Sequence, residues 1–339
     1  MLTVERVEFA AAEGEWREMF ACCDPAYPFL SPSWQRIWWE EFGNGGGQQT
    51  ADSGQRTAER EPMLLRVADG GKVRGFVPLM REGDRLTFAG DTSICDYMDV
   101  VGAKDGRAEL LEALLRSLGE EPWSELVFWA VREDSPTFSG LPTVCASLGL
   151  SCETEVEDVC PQLDLPGDWE EYLAGLDKKD RHELRRKMRN LGASGQTAFT
   201  RYSSEAEISN RLDRFLEMMR ISREAKDTFL TPTMEAYFRE LAPAFARLGL
   251  LHLAELTVDG RGAAMILAFE NASTVFLYNS GYDPEFAKLA AGLVSKALAL
   301  QDALARGKTM FDFLRGDEEY KRHLGGVPID VLALTLTGP

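Results

Sequence analysis

The sequence predicts a mixed α/β protein built as two successive domains. Three observations carry this reading. At 339 residues the chain exceeds one ordinary hydrophobic core and fits two domains of roughly 150 residues each. Hydrophobic residues make up 45% and aromatic residues 10%, a composition with apolar surface to bury rather than a disordered one. Short β-rich runs alternate with segments of helical period through both halves.

In the first half, Leu2–Phe9 reads as a strand leading into a helix near Trp16–Cys22. Pro32–Phe42 is a helix with Ser31 as its N-cap and with Trp34, Trp38 and Trp39 at helical spacing. Residues 43–60 hold no apolar side chain larger than Ala and are expected to form a mobile surface loop. Met63–Val67 and Val73–Met80 make a hairpin through Asp69-Gly70-Gly71. Leu86–Ala89, Cys95–Gly102 and Glu125–Val131 read as further strands, with helices at Ala108–Leu118 and near Val144. Cys152–Leu165 is a long strand, and Pro166-Gly167 marks the junction, giving domains over 1–165 and 166–339.

The second half opens with helices at Asp168–Leu176 and Lys178–Leu191, then a strand at Ala198–Tyr202. Two longer helices follow, Glu205–Ile221 and Thr233–Leu248. Leu250–Val258, Gly262–Glu270 and Thr274–Asn279 form a meander turning at Asp259-Gly260 and at Asn271. Phe286–Arg306 is a helix whose apolar positions (286, 289, 290, 293, 294, 297, 300 and 304) make one stripe. Met310–Leu314 is a short strand, Asp317–Leu324 a short helix and Ile329–Thr337 the closing strand. The first half repeats this order loosely.

Charge and motif content narrow the function. A formal net charge of −18 opposes tracking along a phosphate backbone, so DNA is not an expected partner. The segment 178–191 reverses that sign, with seven Lys/Arg against Asp180 and Glu183; it is either a solvated face or a contact for an anionic lipid or a nucleotide-sugar. No stretch reaches the ~18 apolar residues of a membrane span. The N-terminus lacks a basic flank before an apolar run, and the six cysteines form no paired framework. A cytoplasmic location is expected. His182, His252 and His323 share no metal-ligand spacing, so no metal is expected. With no G-x-S-x-G motif and no cysteine near a histidine, direct attack by an acceptor is favoured over a covalent enzyme intermediate.

Several residues stand out on chemical grounds. Strand alternation puts Asp312 on the face opposite Phe311 and Phe313, where a carboxylate needs a partner. It is either ion-paired with Arg315 or Lys321, or a catalytic base or substrate anchor. Arg315 and Lys321 flank Gly316 and either grip a phosphate or carboxylate of the acceptor or face solvent. Asp96 and Tyr97 suit a sugar hydroxyl, with a turn or N-cap as the other role for Asp96. Trp38 and Trp39 cannot both face the core of one helix; Trp38 is a candidate stacking surface for a sugar, and otherwise packs.

Four stretches, in order along the chain, carry a resemblance. They are PFLSPSWQRIWWEEFG (28–43), CDYMDVV (95–101), DKKDRHELRRKMRNL (177–191) and FDFLRGDEEYKRHLGG (311–326). Together they resemble the GNAT subfamily related to the Fem peptidoglycan aminoacyltransferases and to the CelD-like proteins of polysaccharide gene clusters. The resemblance implies tandem GNAT-like domains of mixed sheets, with the acceptor in a cleft between them and the donor in the second. It further implies that Thr274–Asn279 and Met310–Leu314 splay apart to hold the pantetheine arm of acetyl-CoA or another acyl-CoA, without a metal. Tyr278, Asn279, Gly281 and Gly292 are then the cofactor-binding candidates, although GYDPEFAKLAAG (281–292) lacks the family's glycine-rich phosphate loop. Tyr320 either protonates the departing thiolate or only packs its ring. The implied acceptor is an amine or hydroxyl of a sugar or cell-envelope precursor. Two rivals follow from the same likeness. One is a Fem-like transferase using aminoacyl-tRNA, disfavoured by the acidic charge outside 178–191. The other is a non-catalytic module of a polysaccharide system, favoured by the missing glycine loop.

Overall fold

Helix caps, Gly turns and apolar alternation set most elements of the computed structural model, which describes residues 1–23, 26–43, 59–119 and 122–338. The chain forms two compact units, Met1–Val159 with Ile329–Pro339, and Cys160–Pro328.

In the first unit, β1 (Leu2–Arg6) passes into α1 (Phe9–Ala21). This helix starts seven residues before the expected Trp16, because Ala10, Ala11 and Ala12 are strong helix formers. Ser31 caps α2 (Pro32–Trp38) by accepting the Trp34 N–H at 3.2 Å, and the helix widens into a π-turn over Trp39–Gly43. Of the loop expected over 43–60, residues 44–58 lie outside the described residues. β2 (Arg60–Asp69) and β3 (Lys72–Glu82) form the hairpin, with Gly70 and Gly71 at φ +55° and +87°. β4 (Arg85–Phe88) follows. The strand expected over 95–102 survives only as β5 (Val101–Gly102). Before it, Asp99 takes the Val100 N–H at 2.6 Å and the hydroxyls of Ser135 and Thr137, so side-chain bonding replaces a ladder. α3 (Arg107–Leu118), β6 (Glu125–Arg132), α4 (Pro136–Leu148) and β7 (Ser151–Asp164) complete this run.

The second unit starts with α5 (Trp169–Gly175), whose Asp168 cap accepts the Glu171 N–H at 2.9 Å, and the basic α6 (Lys178–Ala193). β8 (Thr197–Tyr202) precedes α7 (Glu205–Ser222), opened by a Ser204/Glu207 capping box. A six-residue helix that the sequence reading did not anticipate, α8 (Glu224–Phe229), links it to α9 (Pro232–Arg247). Then come β9 (Leu251–Val258), β10 (Arg261–Glu270) and β11 (Thr274–Tyr282). The single helix expected over 286–306 is broken. Asp283 and Pro284 start a 3₁₀ turn, Pro284–Leu289, and Ala290 at φ +55° resets the chain into α10 (Ala291–Ala305). β12 (Met310–Asp312) and α11 (Glu319–His323) follow, and β13 (Val327–Thr337) then pairs with β6 in the first unit.

The strands of the first unit run in the order β1-β2-β3-β4-β6-β13, with only β4 and β6 parallel. Those of the second run β12-β11-β10-β9-β8, antiparallel except for β11 and β12; residues 162–164 of β7 border β12. Alternation along this second set of strands serves two faces. Ile266, Ala268, Val275, Leu277, Phe311 and Phe313 pack under α5, α6 and α10. On the other face Phe269 meets Phe245 of α9 at 5.1 Å, and Tyr278 meets Phe238 at 6.1 Å.

Candidate active site

β11 is nine residues long, but β12 accompanies it only at Thr274, Val275 and Phe276, opposite Met310, Phe311 and Asp312. Beyond that point β11 continues to Tyr282 with β10 as its one strand partner among the described residues. Residues 277–282 therefore keep one edge outside the strand ladder. A bulge sits in this stretch: Ala268 faces Leu277 and Leu267 faces Asn279, leaving Tyr278 as the extra residue.

The chain after β12 turns away for a definable reason. Asp312 is fully buried; its carboxylate accepts Gln162 Nε2 at 2.6 Å and the backbone N–H of Leu314 at 2.8 Å. Leu314 sits at φ +58°, a left-handed backbone that costs a non-glycine residue about 1–3 kcal/mol. Phe313 donates its N–H to the Pro161 carbonyl at 2.9 Å. Lys321 closes the turn that follows. At 1% exposure its ammonium donates to the carbonyls of Leu314 (2.9 Å), Arg315 (2.7 Å) and Gly316 (3.0 Å) and pairs with Glu318 at 2.8 Å. An ammonium has three donors, and these are spent inside the turn. Lys321, read from the sequence as an acceptor-binding cation, is thus the fastener of its own loop, in which Arg315 lies half-buried.

Tyr320 follows directly on that loop. Its ring meets Phe313 edge-on at 6.5 Å, and burial, reinforced by Glu318, holds its phenol well above the usual range. The phenol therefore stays protonated at neutral pH. Two lysines that the sequence reading missed converge here. Lys296, on α10 and 9% exposed, lies with Nζ 4.9 Å from the centre of the Tyr320 ring and donates to the Gly292 carbonyl at 2.9 Å. Burial, then the like charges of Lys226 and Arg223, pull its amine down to about 7. Lys226, on α8, donates to Asn279 Oδ1 at 2.8 Å and to the Ser280 carbonyl, both on the extended part of β11. Burial and Arg223 bring it down to about 8 against a partial opposing pull from Glu318.

The other expected residues separate. Asn279 lies on β11 as Lys226's partner, whereas the Tyr278 ring is taken up by Phe238 and by Phe269, 5.1 Å away. Gly281 has a packing role: a Cβ there would lie 2.5 Å from backbone atoms of Met218 and Met219 in α7. Gly292 rests against the Tyr282 ring, which an added Cβ would crowd at 3.2 Å. The first N–H groups of α10, at Ala291 and Gly292, have no acceptor within the helix, as at any helix start. In the first unit Trp38 and Tyr97 are 0% exposed. Trp38 packs with Trp39 and Phe42, and Tyr97 lies on Tyr27 (4.7 Å) beneath Arg132 (5.2 Å), so neither ring offers a face to a sugar. Asp96, between Cys95 and Tyr97, is partly exposed. Among the described residues no group of three His, Cys, Asp or Glu is placed to hold a metal, and no helix is long and apolar enough to cross a membrane.

The acetyltransferase (GNAT) domain matches residues 178–322, a segment that contains the open strand edge, both lysines and Tyr320. No curated protein matches the sequence. Among solved structures the chain is similar to FemX, with a TM-score of 0.66 at 14% identity over 98% of this chain and 96% of that one. It is similar to the C-terminal domain of a protein named as a lysylphosphatidylglycerol synthetase of Agrobacterium fabrum, with a TM-score of 0.61 at 11% identity over 98% and 93%. A conserved protein of unknown function from Bacteroides thetaiotaomicron gives 0.58 at 12% identity over the whole of both chains. The chain has the GNAT fold, and its segment 178–322 matches the acetyltransferase (GNAT) domain model.

Proposed function

We propose that the protein transfers an acyl group from an acyl-CoA-type thioester, laid along the open edge of β11, to an amine or hydroxyl of a sugar or cell-envelope precursor. The observation that supports this reading is the three-residue pairing of β11 with β12, after which the edge of β11 turned away from β10 has no strand beside it among the described residues. An extended, amide-bearing arm satisfies such an edge as an added strand does. Direct attack then needs only positioning and proton management. Tyr320, kept neutral by burial, gives its proton to the departing thiolate. Asp312 contributes by shaping the turn that presents Tyr320.

A thermal-shift series with acetyl-CoA, longer acyl-CoAs and free CoA tests the donor. A ligand at 100 times its dissociation constant stabilises the protein by about 2.7 kcal/mol. No shift with any of them sinks the proposal. Tyr320→Phe is expected to slow turnover while leaving donor affinity nearly intact; an unchanged rate removes the phenol from the chemistry.

A second reading, an aminoacyl donor carried on RNA, draws on the likeness to FemX and on α6. There Arg185, Arg186 and Lys187 are paired with Glu170 or Glu183, while Lys178, Lys179 and Arg189 have no carboxylate partner among the described residues. The same free cations suit an anionic lipid or a nucleotide-sugar. Neutralising Lys178, Lys179 and Arg189 together separates these: loss of RNA binding favours the aminoacyl donor, and loss of vesicle binding favours the lipid.

A further inference from the structure

The geometry points to Lys296 as the group that takes the proton from the attacking amine or hydroxyl. This rests on the acyl-transfer reading and adds the base that reading lacks. Nζ of Lys296 stands 4.9 Å from the centre of the Tyr320 ring, so the proposed acid and this base share one place. Its side chain is nine-tenths buried, yet among the described residues the Gly292 carbonyl is its only hydrogen-bond acceptor and no carboxylate lies within ion-pair distance. A protonated ammonium there leaves two N–H groups unmet. The neutral amine avoids that cost and offers a lone pair.

The surrounding cations act in the same direction, with Glu318 opposing them. Lys226 of α8 and Arg223 just before it are like-charged neighbours. From the α11 side come Glu318 and Lys321, and Glu318 is already paired with Lys321 at 2.8 Å. Lys296 also lies in the second turn of α10, near the positive end of the helix dipole. Burial adds the largest contribution, so the amine titrates close to neutral pH. Lys226 is less suited, since its donors hold Asn279 and the Ser280 carbonyl.

The proton count closes. As the acceptor's nitrogen or oxygen bonds to the thioester carbonyl carbon, its proton passes to Nζ of Lys296. The carbon–sulfur bond breaks, and the sulfur takes the phenolic proton of Tyr320. The Lys296 ammonium then returns a proton to the Tyr320 oxyanion, so the acceptor's proton ends, in net terms, on the free thiol.

The test measures kcat/KM against pH for the wild-type protein, Lys296→Met and Lys296→Arg, alongside an NMR titration of ¹³Cε-labelled lysines. Met fills the volume of the lysine stem, and native-like circular dichroism is the check on folding. The wild type is expected to gain about tenfold in kcat/KM per pH unit below about 7 and then level off. Both variants should lose that limb and roughly 10²–10⁴-fold in rate, because a guanidinium stays protonated and cannot replace an amine base. The Lys296 signal, assigned by its absence in Lys296→Met, should titrate near 7. Retention of the rate within threefold by Lys296→Arg would overturn the proposal in favour of a fixed positive charge. So would a Lys296 titration near the ordinary value of about 10.4. Transfer by the wild type with an unaltered limb in Lys296→Met removes the base alone, whereas no transfer by the wild type with any thioester removes the acyl-transfer reading as well.

Discussion

Asp312→Ala probes the turn on which the proposed site depends. The carboxylate is fully buried, and its acceptor oxygens serve at least Gln162 Nε2 at 2.6 Å and the Leu314 N–H at 2.8 Å. Alanine leaves both donors buried without that acceptor, at about 1–3 kcal/mol each, which gives an expected loss of roughly 2–6 kcal/mol. Leu314 is held at φ +58° partly by one of these bonds, so the loss falls on a backbone already under strain. Asp312→Asn keeps an oxygen for the Leu314 N–H and should cost far less, about 1 kcal/mol. Urea unfolding of the two variants and the wild type, followed by circular dichroism, gives the comparison. Equal midpoints for Asp312→Ala and Asp312→Asn, or an alanine loss below about 1 kcal/mol, would refute the view that this carboxylate organises the turn.

Two further outcomes follow from the geometry. Gly281→Ala should destabilise by about 1–3 kcal/mol, since the added methyl meets backbone of α7 at 2.5 Å and backbone yields poorly; an unshifted melting temperature would contradict this. His252, 2% exposed, is driven down to about 3 by burial, with Glu270 opposing and Arg201, Arg306 and Lys308 assisting. Its folded value lies below the unfolded value near 6.5, so the unfolded chain binds more protons. Stability is therefore intact above about pH 6.5 and falls on acidification by about 1.4 kcal/mol per pH unit towards pH 3. A His252→Gln variant should show a shallower fall, measured by urea midpoints at pH 7, 6 and 5.

Much of the fold was legible because local chemistry and burial agree. The Ser31 cap, the Gly70-Gly71 hairpin and the meander from β9 to β11 all follow from short-range rules. Where tertiary contacts decide, the reading failed. Cys95–Val100 carries apolar side chains as a strand would, but its backbone is met piecemeal, by the Asp91 carbonyl, the Ala130 carbonyl and the Asp99 carboxylate. The break at Ala290 was invisible because its apolar stripe runs on without interruption. Lys226 gave no signal in a short polar segment. Lys296 did give one: it lies three residues after Leu293 and four before Leu300, on the stripe that faces the core. A lysine on that stripe is a buried amine in need of an explanation. Lys321 was read as gripping an acceptor anion, facing solvent or pairing with Asp312, but its partners include carbonyls six, five and seven residues back, a local closure that composition cannot reveal.

The tight seat of Gly281 has a mechanical meaning. With no room for one methyl between β11 and α7, strand and helix have no slack in which to slide past each other. α7 runs almost directly into α8, whose Lys226 grips the same strand two residues before Gly281. Clamped at both ends of that short path, the strand, the helix and the link behind it are held together as one body.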